Sequence, residues 1–337
     1  MKIQENVSLK AYNTFGIEAT APYFVEVHST EELQQILQQW EGGQPFILGG
    51  GSNILLAGEL CGLVIKNSIK EKAITSREGN KAWVSAGGGE NWHEFVCWCL
   101  EHELGGVENL SLIPGTAGAA PIQNIGAYGR ELSEVFHMLE AVELETGALH
   151  SFGKEACRFG YRDSIFKREL KGRYCITRVS LELRTAHHHL NTSYGAIRQT
   201  LAERGISAPT IHDVSRAVVA IRSGKLPNPS VLGNSGSFFK NPELPRRQFE
   251  ELQQQHKDMP FYPLDNGCIK VPAGWLVEQT GWKGRRIGDA GCYEKQALVL
   301  VNHGQASGRD IYELAQRIQD DVEEKFGIRL EMEVNVI

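Results

Sequence analysis

Residues 233–242 read GNSGSFFKNP, which sets two serines, two asparagines and a lysine among glycines and aromatics. Glycine tolerates positive φ and lets a ligand come close to the backbone. Ser235 or Ser237 on such a turn can therefore be aimed at a bound molecule. Phe238 and Phe239 can exclude water there, and Lys240 and Asn241 supply a cation and an amide. The run Asn234-Ser235-Gly236-Ser237-Phe238 is not the Gly-x-Ser-x-Gly elbow of hydrolases. A serine is presented without the signature of an acylating nucleophile, and a plain structural turn before a strand fits the local sequence equally well.

Two glycine-rich segments offer different chemistry. ILGGGSNIL, residues 47–55, follows a strand-like run, where successive backbone N–H groups can cradle a pyrophosphate. It lacks GxGxxG and does not end in Gly-Lys-Ser/Thr, so it is neither a dinucleotide fingerprint nor a P-loop. IPGTAGAAPIQNIGAYG, residues 113–129, has small residues at Gly115, Ala117, Gly118, Ala119 and Ala120 that leave room for a large flat ligand. Gln123 and Asn124 offer amides for the edge of a heterocycle. Either segment alone could be a close-packed turn; two in one half of the chain point to one shared, phosphate-bearing ligand. In RFGYRDS, residues 158–164, Tyr161 and Arg162 beside a glycine suggest a guanidinium fork for a carboxylate or enolate oxygen, or else a surface pair of Arg162 with Asp163. Lys225 can contact a phosphate or end in solvent, and Glu333 can face the core or the solvent side of an edge strand.

These residues need elements to position them, and hydrophobic periodicity gives the outline. Residues 24–27, 46–48 and 63–66 read as strands, with a helix from the capping-box run Ser29-Thr30-Glu31-Glu32 to about Trp40. This β-α-β-like unit ends its second strand at the glycines. A strand at 82–86 precedes Gly87, and a helix at 91–103 carries Trp92, Phe95, Val96, Cys99 and Leu100 at helical spacing. Residues 140–145 and 149–152 flank Thr146-Gly147 as a hairpin, and 175–183 alternates as a strand. A helix at 212–223 is broken by Pro227 and Pro229, and the shift in composition there puts a domain boundary near residue 226. Beyond it come a polar helix at 246–257, a buried helix at 273–280 ending at Gly281, and a strand at 298–301. A long helix follows, with Ile311, Leu314, Ala315, Ile318, Val322 and Phe326 on one face and Gly327 as its cap. A strand at 330–336 closes the chain. A lone terminal strand must pair, so it is expected to return to a sheet of an earlier domain.

At 337 residues the chain exceeds what one core serves, and two or three domains are expected. Its 41% hydrophobic and 23% charged residues suit an ordinary enzyme. A net charge of −6 argues against a nucleic-acid surface, so an anionic ligand needs local cations. No apolar run approaches the ~20 residues that span a bilayer, and MKIQENVSLKAYNTFG at the start lacks the apolar stretch of a signal peptide. The seven cysteines, without a CxxC pair, read as reduced, mostly buried thiols of a cytoplasmic protein. No zinc-site spacing appears, the histidines at 187–189 read as a solvated loop, and no metal site is expected.

Several motifs in a fixed order now carry a resemblance: Asn13-Thr14-Phe15, ILGGGSN, IPGTAGAAPIQNIGAYG, FGYRDSIFK, Lys225-Leu226-Pro227 and GNSGSFFKNP, then Pro272-Ala273-Gly274-Trp275-Leu276, Gln296-Ala297-Leu298-Val299 and Leu330-Glu331-Met332-Glu333-Val334. Over essentially its whole length the chain resembles the UDP-N-acetylenolpyruvoylglucosamine reductase family, in the subtype whose tyrosine loop, here around Tyr194, closes over substrate. The resemblance implies an α+β architecture: a vanillyl-alcohol-oxidase-type FAD-binding fold plus a third, α/β substrate-binding domain. The two FAD-binding subdomains would be 1–68 and 69–225 with 329–337, and the substrate domain 226–328. It implies noncovalent FAD against Gly49, Gly50, Gly51, Ser52 and Asn53, and along Pro114, Gly115, Thr116, Gly118, Ala119, Gln123, Asn124, Gly126, Ala127, Tyr128 and Gly129.

NADPH is the implied co-substrate, and the implied reaction converts the enolpyruvyl ether of UDP-N-acetylglucosamine enolpyruvate to UDP-N-acetylmuramate for peptidoglycan. Hydride would go to C3 and a proton to C2. Arg162 and a protonated Glu333 would stabilise the enolate, and Ser237 would protonate C2. An acid that keeps its proton at neutral pH needs a raised pKa. Tyr128, Tyr161, Tyr194, Lys225, Asn241, Lys283 and Gln296 would contact the UDP-sugar. No nucleic acid, membrane or obligate protein partner is implied. A flavin-dependent oxidase of the same fold and a nucleotide-sugar-binding regulator are the alternatives. Rapid reoxidation by air marks the first, a colourless protein the second.

Overall fold

Strand, helix and strand succeed one another near the start as the periodicity requires. In the computed structural model, which describes residues 2–337, the first sheet runs in the order Gln4–Ser8, Thr20–Val27, Leu63–Asn67, Phe46–Leu48. The last three strands pair in parallel. Helix Thr30–Gln39 starts where Ser29 Oγ accepts from Glu32 N at 3.1 Å, while the Glu32 carboxylate accepts from His28 N at 2.7 Å. Its Leu33 and Ile36 bury themselves against Val25, Val27, Leu63 and Ile65.

The second sheet is antiparallel throughout, in the order Leu149–Gly153, Phe136–Glu143, Tyr174–Arg184, Lys81–Gly87, Lys72–Glu78. The hairpin read around Thr146-Gly147 is its first pair. Trp92 and Phe95 of helix Trp92–Glu101 share a core with Val84, Ala86, Val179 and Leu181 of this sheet. Strand Lys72–Glu78 and helix Gly195–Glu203 are among the elements outside the sequence outline. Strand Lys72–Glu78 is mostly exposed and so shows no apolar alternation. Helix Gly195–Glu203 buries only Ile197 and Leu201, against Val214, Ala217 and Val218 of helix Ile211–Lys225.

By their contacts, these sheets belong to one compact unit made of residues up to 7, Thr20–Gly51 and Leu60–Gly224; a second unit comprises Ser8–Ala19, Ser52–Glu59 and Lys225–Ile337. The second unit is built on an antiparallel sheet in the order Gly233–Ser237, Val299–Asn302, Ala290–Cys292, Arg286–Ile287. A small sheet, Glu243–Leu244, Ile269–Lys270 and Tyr262–Pro263, accompanies it. Helices Arg246–Gln255, Ala273–Gln279 and Gly308–Phe326 complete the unit. The long helix begins with a Ser307–Asp310 capping box and ends at Gly327, whose φ of 64° suits glycine. A Cβ on Gly308 would stand 1.7 Å from the Leu56 carbonyl oxygen, so no side chain fits where this helix starts.

The terminal strand takes a different course from the one expected. It does not run unbroken over 330–336, and its partner is not the sheet of 72–184. Met332 makes an isolated bridge to Phe239, and only Asn335–Val336 forms a strand, parallel to Ile54–Leu55. The two short pairings together satisfy the backbone that a single long edge strand would have left to one partner. Among the described residues no helix is long and apolar enough to cross a membrane.

Candidate active site

The two glycine-rich segments of the first unit abut. A Cβ on Gly49 would lie 2.9 Å from Thr116 Oγ1, and one on Gly50 would lie 2.9 Å from the Gly115 Cα. Gly51 and Gly115 hold φ of 62° and 110°, a region that side chains disfavour. Backbone thus meets backbone, and the surface the two segments form is one that side chains would fill. The residues fit a large ligand approached through main-chain atoms. Not every small residue of 113–129 serves that purpose. Gly118 is buried, its N–H donates to the Gly88 carbonyl at 2.9 Å, and its missing Cβ would meet Ile176 O at 2.8 Å. Ala117 and Ala120 are buried as well. These three are small because the segment packs on its own sheet. Asn124 is likewise engaged by the protein. Its amide donates to Gly160 O at 3.0 Å and Glu131 Oε2 at 2.8 Å, and its oxygen accepts from Ser133 N at 2.9 Å.

Those bonds fasten 124 to the turn that carries Arg162. Gly160 and Asp163 bridge each other, Ser164 Oγ donates to Ile122 O at 2.7 Å, and Arg162 sits at φ 53°. Arg162 Nη2 donates to Gly126 O at 2.5 Å, and the guanidinium lies 5.2 Å from the Tyr161 ring centroid. Glu131 Oε1 is 4.0 Å from Arg162 Nη1, while Asp163 meets Arg168 at 3.1 Å. Non-glycine residues at positive φ gather here: Leu112, Asn124, Tyr128 and Arg162. Each such conformation costs ~1–3 kcal/mol and persists only where surroundings over-determine it.

Tyr128 adds a phenol to this group. Burial pushes its pKa up, against the opposing charge of the Arg222 guanidinium. The Tyr194 ring stands edge-on to Tyr128 with centroids 5.1 Å apart. Arg222, half-buried, also donates from Nε to Leu112 O at 3.1 Å. Desolvation first, then the nearby Arg162 charge, lowers its pKa. Sequence reasoning passed over Arg222 inside its helix; the signal was a lone cation closing the apolar run Ala217-Val218-Val219-Ala220-Ile221.

The second unit brings together another set. Gly233 abuts Phe15, whose carbonyl oxygen would lie 2.2 Å from an added Cβ. Asn234 N–H donates to Thr14 O at 3.0 Å, and its side chain braces the turn through Pro227 O, Leu232 O and Gly236 N. The register slips between Asn234 and Ser237, and Gly236 has φ 71°. Such an irregularity re-aims a side chain: Ser235 is buried and Ser237 exposed. Ser235 Oγ has no hydrogen-bond partner. Directly after Ser237, the Phe238 carbonyl accepts from Glu333 N at 2.8 Å, and Lys240 N donates to Glu331 O at 2.9 Å. Asn53 Nδ2 donates to Glu333 O at 3.3 Å. Asn53, Ser237 and Glu333, far apart in sequence, are therefore neighbours in one unit. The Lys240 ammonium pairs with the Glu331 carboxylate.

The remaining substrate candidates of this unit have structural partners. Asn241 Oδ1 accepts from Ala273 N at 2.9 Å, Lys283 pairs with Glu278 at 2.8 Å, and Gln296 Oε1 accepts from Leu298 N at 3.4 Å. Lys225 is exposed at the end of its helix.

Comparison with known proteins agrees with this geometry. A family model described as UDP-N-acetylenolpyruvoylglucosamine reductase, C-terminal domain, matches residues 228–337, and one described as FAD binding domain matches 21–153. The chain is 51% identical over 337 residues to the UDP-N-acetylenolpyruvoylglucosamine reductase of Flavobacterium johnsoniae, covering 100% of both. It is 50% identical over 339 residues to that of Pseudomonas savastanoi, covering 100% of this chain and 99% of the relative. The crystal structure of UDP-N-acetylenolpyruvylglucosamine reductase from Thermus caldophilus superposes with a TM-score of 0.70 at 24% identity, over 100% of this chain and 99% of that one, which shows the fold.

Proposed function

The chain belongs to the UDP-N-acetylenolpyruvoylglucosamine reductase family, and from that premise we propose which of its residues do the work. It is a UDP-N-acetylmuramate dehydrogenase of peptidoglycan synthesis, an NADPH-dependent FAD enzyme with a flavin-binding α+β fold. FAD, when bound, carries hydride from NADPH to C3 of the enolpyruvyl ether.

Gly49, Gly50 and Gly51, with Ser52 and Asn53, hold the pyrophosphate. Pro114, Gly115, Gln123, Gly126, Ala127, Tyr128 and Gly129 hold the isoalloxazine, without a covalent link. The Arg162 guanidinium, fixed by Gly126 O and Tyr161, receives the negative charge that develops on the substrate carboxylate. Glu333 donates a hydrogen bond to the same enolate, and Ser237 Oγ delivers the proton to C2. Groups of this kind contribute ~3–4 kcal/mol each when preorganised. Tyr128, Tyr161, Tyr194, Lys225, Asn241, Lys283 and Gln296 bind the UDP-sugar. The observation that supports this reading is the bond from Glu333 N to Phe238 O, which joins the backbone of the acid to that of the residue after the serine.

The two separate sheets of the first unit support FAD-binding subdomains dividing near residue 68. The sheets and helices of the second support a substrate domain over 226–328. The seven free cysteines suit the reducing cytoplasm, where NADPH is also the available reductant. Stopped-flow absorbance tests the whole. Anaerobic NADPH should bleach a yellow protein, and the enolpyruvyl-UDP-sugar, but not air alone at a comparable rate, should restore the colour. A colourless protein, or reoxidation by air as fast as by the sugar, overturns the assignment.

A further inference from the structure

One carboxylate beside Arg162 has no part in the roles given above. The hairpin of Gly126–Ala127 and Arg130–Glu131 pairs Gly126 with Glu131 in antiparallel register. The Gly126 carbonyl accepts from Arg162 Nη2 at 2.5 Å, and Glu131 Oε1 lies 4.0 Å from Arg162 Nη1. A Cβ on Gly126 would stand 2.8 Å from that Nη1 and 3.0 Å from Glu131 Cγ, so the guanidinium and the acid share the space a side chain at 126 would take. Glu131 Oε2 accepts from the Asn124 amide at 2.8 Å. The same amide nitrogen donates to Gly160 O at 3.0 Å, on the turn that carries Arg162. Glu131 therefore reaches the arginine by charge and reaches its turn through Asn124. The Glu131 side chain also accepts from Glu134 N, which caps the short helical turn Leu132–Glu134 and holds the carboxylate in place. Asp163, the acid next to Arg162 in sequence, is turned instead to Arg168 at 3.1 Å.

We propose that Glu131 is a positioning residue for Arg162, which sets the guanidinium at the angle at which it meets the substrate carboxylate. The inference rests on the reading that Arg162 receives the charge of the enolate. An arginine side chain is long and rich in rotamers, and aligning its planar fork costs entropy unless neighbours fix it. Gly126 O holds one nitrogen of the fork, the Tyr161 ring centroid lies 5.2 Å from its carbon, and Glu131 attends the other nitrogen. The Arg162 side chain keeps 19% of its surface exposed, which leaves donors for an incoming carboxylate. A fixed donor stabilises developing charge without reorganising, and a small misplacement weakens it steeply. Glu131 is also an anion beside the place of an anion. It therefore favours orientation over ground-state attraction, and its loss should appear in the rate rather than in the binding of the sugar.

Glu131→Gln keeps the length and the acceptor for Asn124 and removes the charge beside Nη1. Glu131→Asp keeps the charge and shortens the reach. Each holoenzyme is read by stopped flow in both half-reactions, together with flavin content and KM for the enolpyruvyl-UDP-sugar. Glu131→Gln should slow reoxidation by the sugar about tenfold, as for a group displaced by a fraction of an ångström. KM should rise by no more than about twofold. Reduction by NADPH and flavin content should be unchanged, since neither needs the aim of Arg162. Glu131→Asp should recover part of the loss. Arg162→Ala should slow reoxidation by about 10²–10³-fold, and adding Glu131→Gln to it should slow it no further. Equal slowing of both half-reactions, loss of flavin, an aspartate variant slower than the glutamine one, or a penalty that adds in full to that of Arg162→Ala overturns the proposal and leaves Glu131 a cap of the fold. If Arg162→Ala alone leaves reoxidation unaltered, the reading of Arg162 fails first and the positioning role falls with it. Should Glu131→Gln not fold, Glu131→Asp carries the test, with a loss of about threefold confined to the same half-reaction.

Discussion

The glycine cradle of residues 49–51 and 115 and the serine turn of 233–237 are alike in composition and differ in what Gly50 and Gly236 are for. In the cradle, absence of a side chain is a matter of volume: Gly50 lies against the Gly115 Cα, which cannot step aside. In the turn, Gly236 has nothing within 4 Å of the place its Cβ would take, and only its φ of 71° calls for glycine. One region is a surface defined by contact between backbones. The other is a pointing device, which leaves Ser237 exposed in the sheet while Ser235 turns inward. Damage to the first should therefore appear in cofactor binding, and damage to the second in chemistry.

The largest effect expected from this contrast is that of Ser237→Ala. A general acid contributes ~10²–10⁴-fold, so reoxidation of the reduced enzyme by the enolpyruvyl-UDP-sugar should slow by that factor. Reduction by NADPH needs no proton from serine and should run at its usual rate with flavin content intact. Equal slowing of both half-reactions would make Ser237 a positioning residue and blur the contrast between the regions.

Gly50→Ala and Gly236→Ala sharpen it from the other side. Overpacking against backbone costs ~1–3 kcal/mol, so Gly50→Ala should weaken FAD binding about ten- to a hundredfold by fluorescence titration of the apoprotein. Gly236→Ala meets only torsional strain, about 1–2 kcal/mol. It should keep its flavin and lose rate in the oxidative half-reaction. If the two variants behaved alike, volume and torsion would not be separable causes here.

Glu333 tests how finely the second region is aimed, since its main chain donates to Phe238 O and accepts from the Asn53 side-chain amide. If the working group is a proton-bearing acid, Glu333→Gln keeps both a donor and the length. Glu333→Asp withdraws the group by ~1.5 Å. The glutamine variant should be the more active by about tenfold in the oxidative half-reaction, a displacement effect of modest size. Neither should lose FAD. A faster aspartate variant, or loss of flavin from either, would return Glu333 to a structural role and leave the enolate to Arg162.

Most elements were legible in the sequence because they carry strong periodicity or caps, as with Ser29-Thr30-Glu31-Glu32 and the apolar face from Ile311 to Phe326. Strand Lys72–Glu78 and helix Gly195–Glu203 were not, since the first is exposed and the second buries two side chains. The glycines could be seen but not sorted. Gly50 and Gly118 look alike in sequence, yet one abuts the other glycine segment and the other packs beneath its own sheet. Arg222 and His93 escaped notice because nothing local distinguishes a helical residue that reaches a distant carbonyl or amide. The terminal strand was read correctly as needing a partner, but the choice of Phe239 and then Ile54–Leu55 is set by tertiary contact.

His93 gives the smallest effect and confines it to the first region. Its Nδ1 accepts from Leu112 N at 3.0 Å, and Leu112, at φ 57°, lies two residues before Pro114. Burial first, then the positive charge of Arg222, holds the imidazole pKa below its ordinary value, with Glu94 opposing. The unfolded chain takes up its proton near pH ~6.5, the folded chain only at lower pH. The stability contributed by neutral His93 is thus fully present above pH ~6.5 and lost as pH falls through the folded pKa. A protonated ring cannot accept from Leu112 and faces the Arg222 guanidinium, so the floor of the cradle loosens in acid. Flavin retention should decline below pH ~6.5, by less than the Gly50→Ala effect. His93→Asn offers an amide oxygen to Leu112 N without a charge and should remove that part of the decline. The turn at 233–237 contains no group that titrates in this range, so its aim should not share the dependence. If His93→Asn shed its flavin over the same pH range as the unaltered protein, the acid sensitivity would belong elsewhere, and the floor under Pro114 would be held by Arg222 alone.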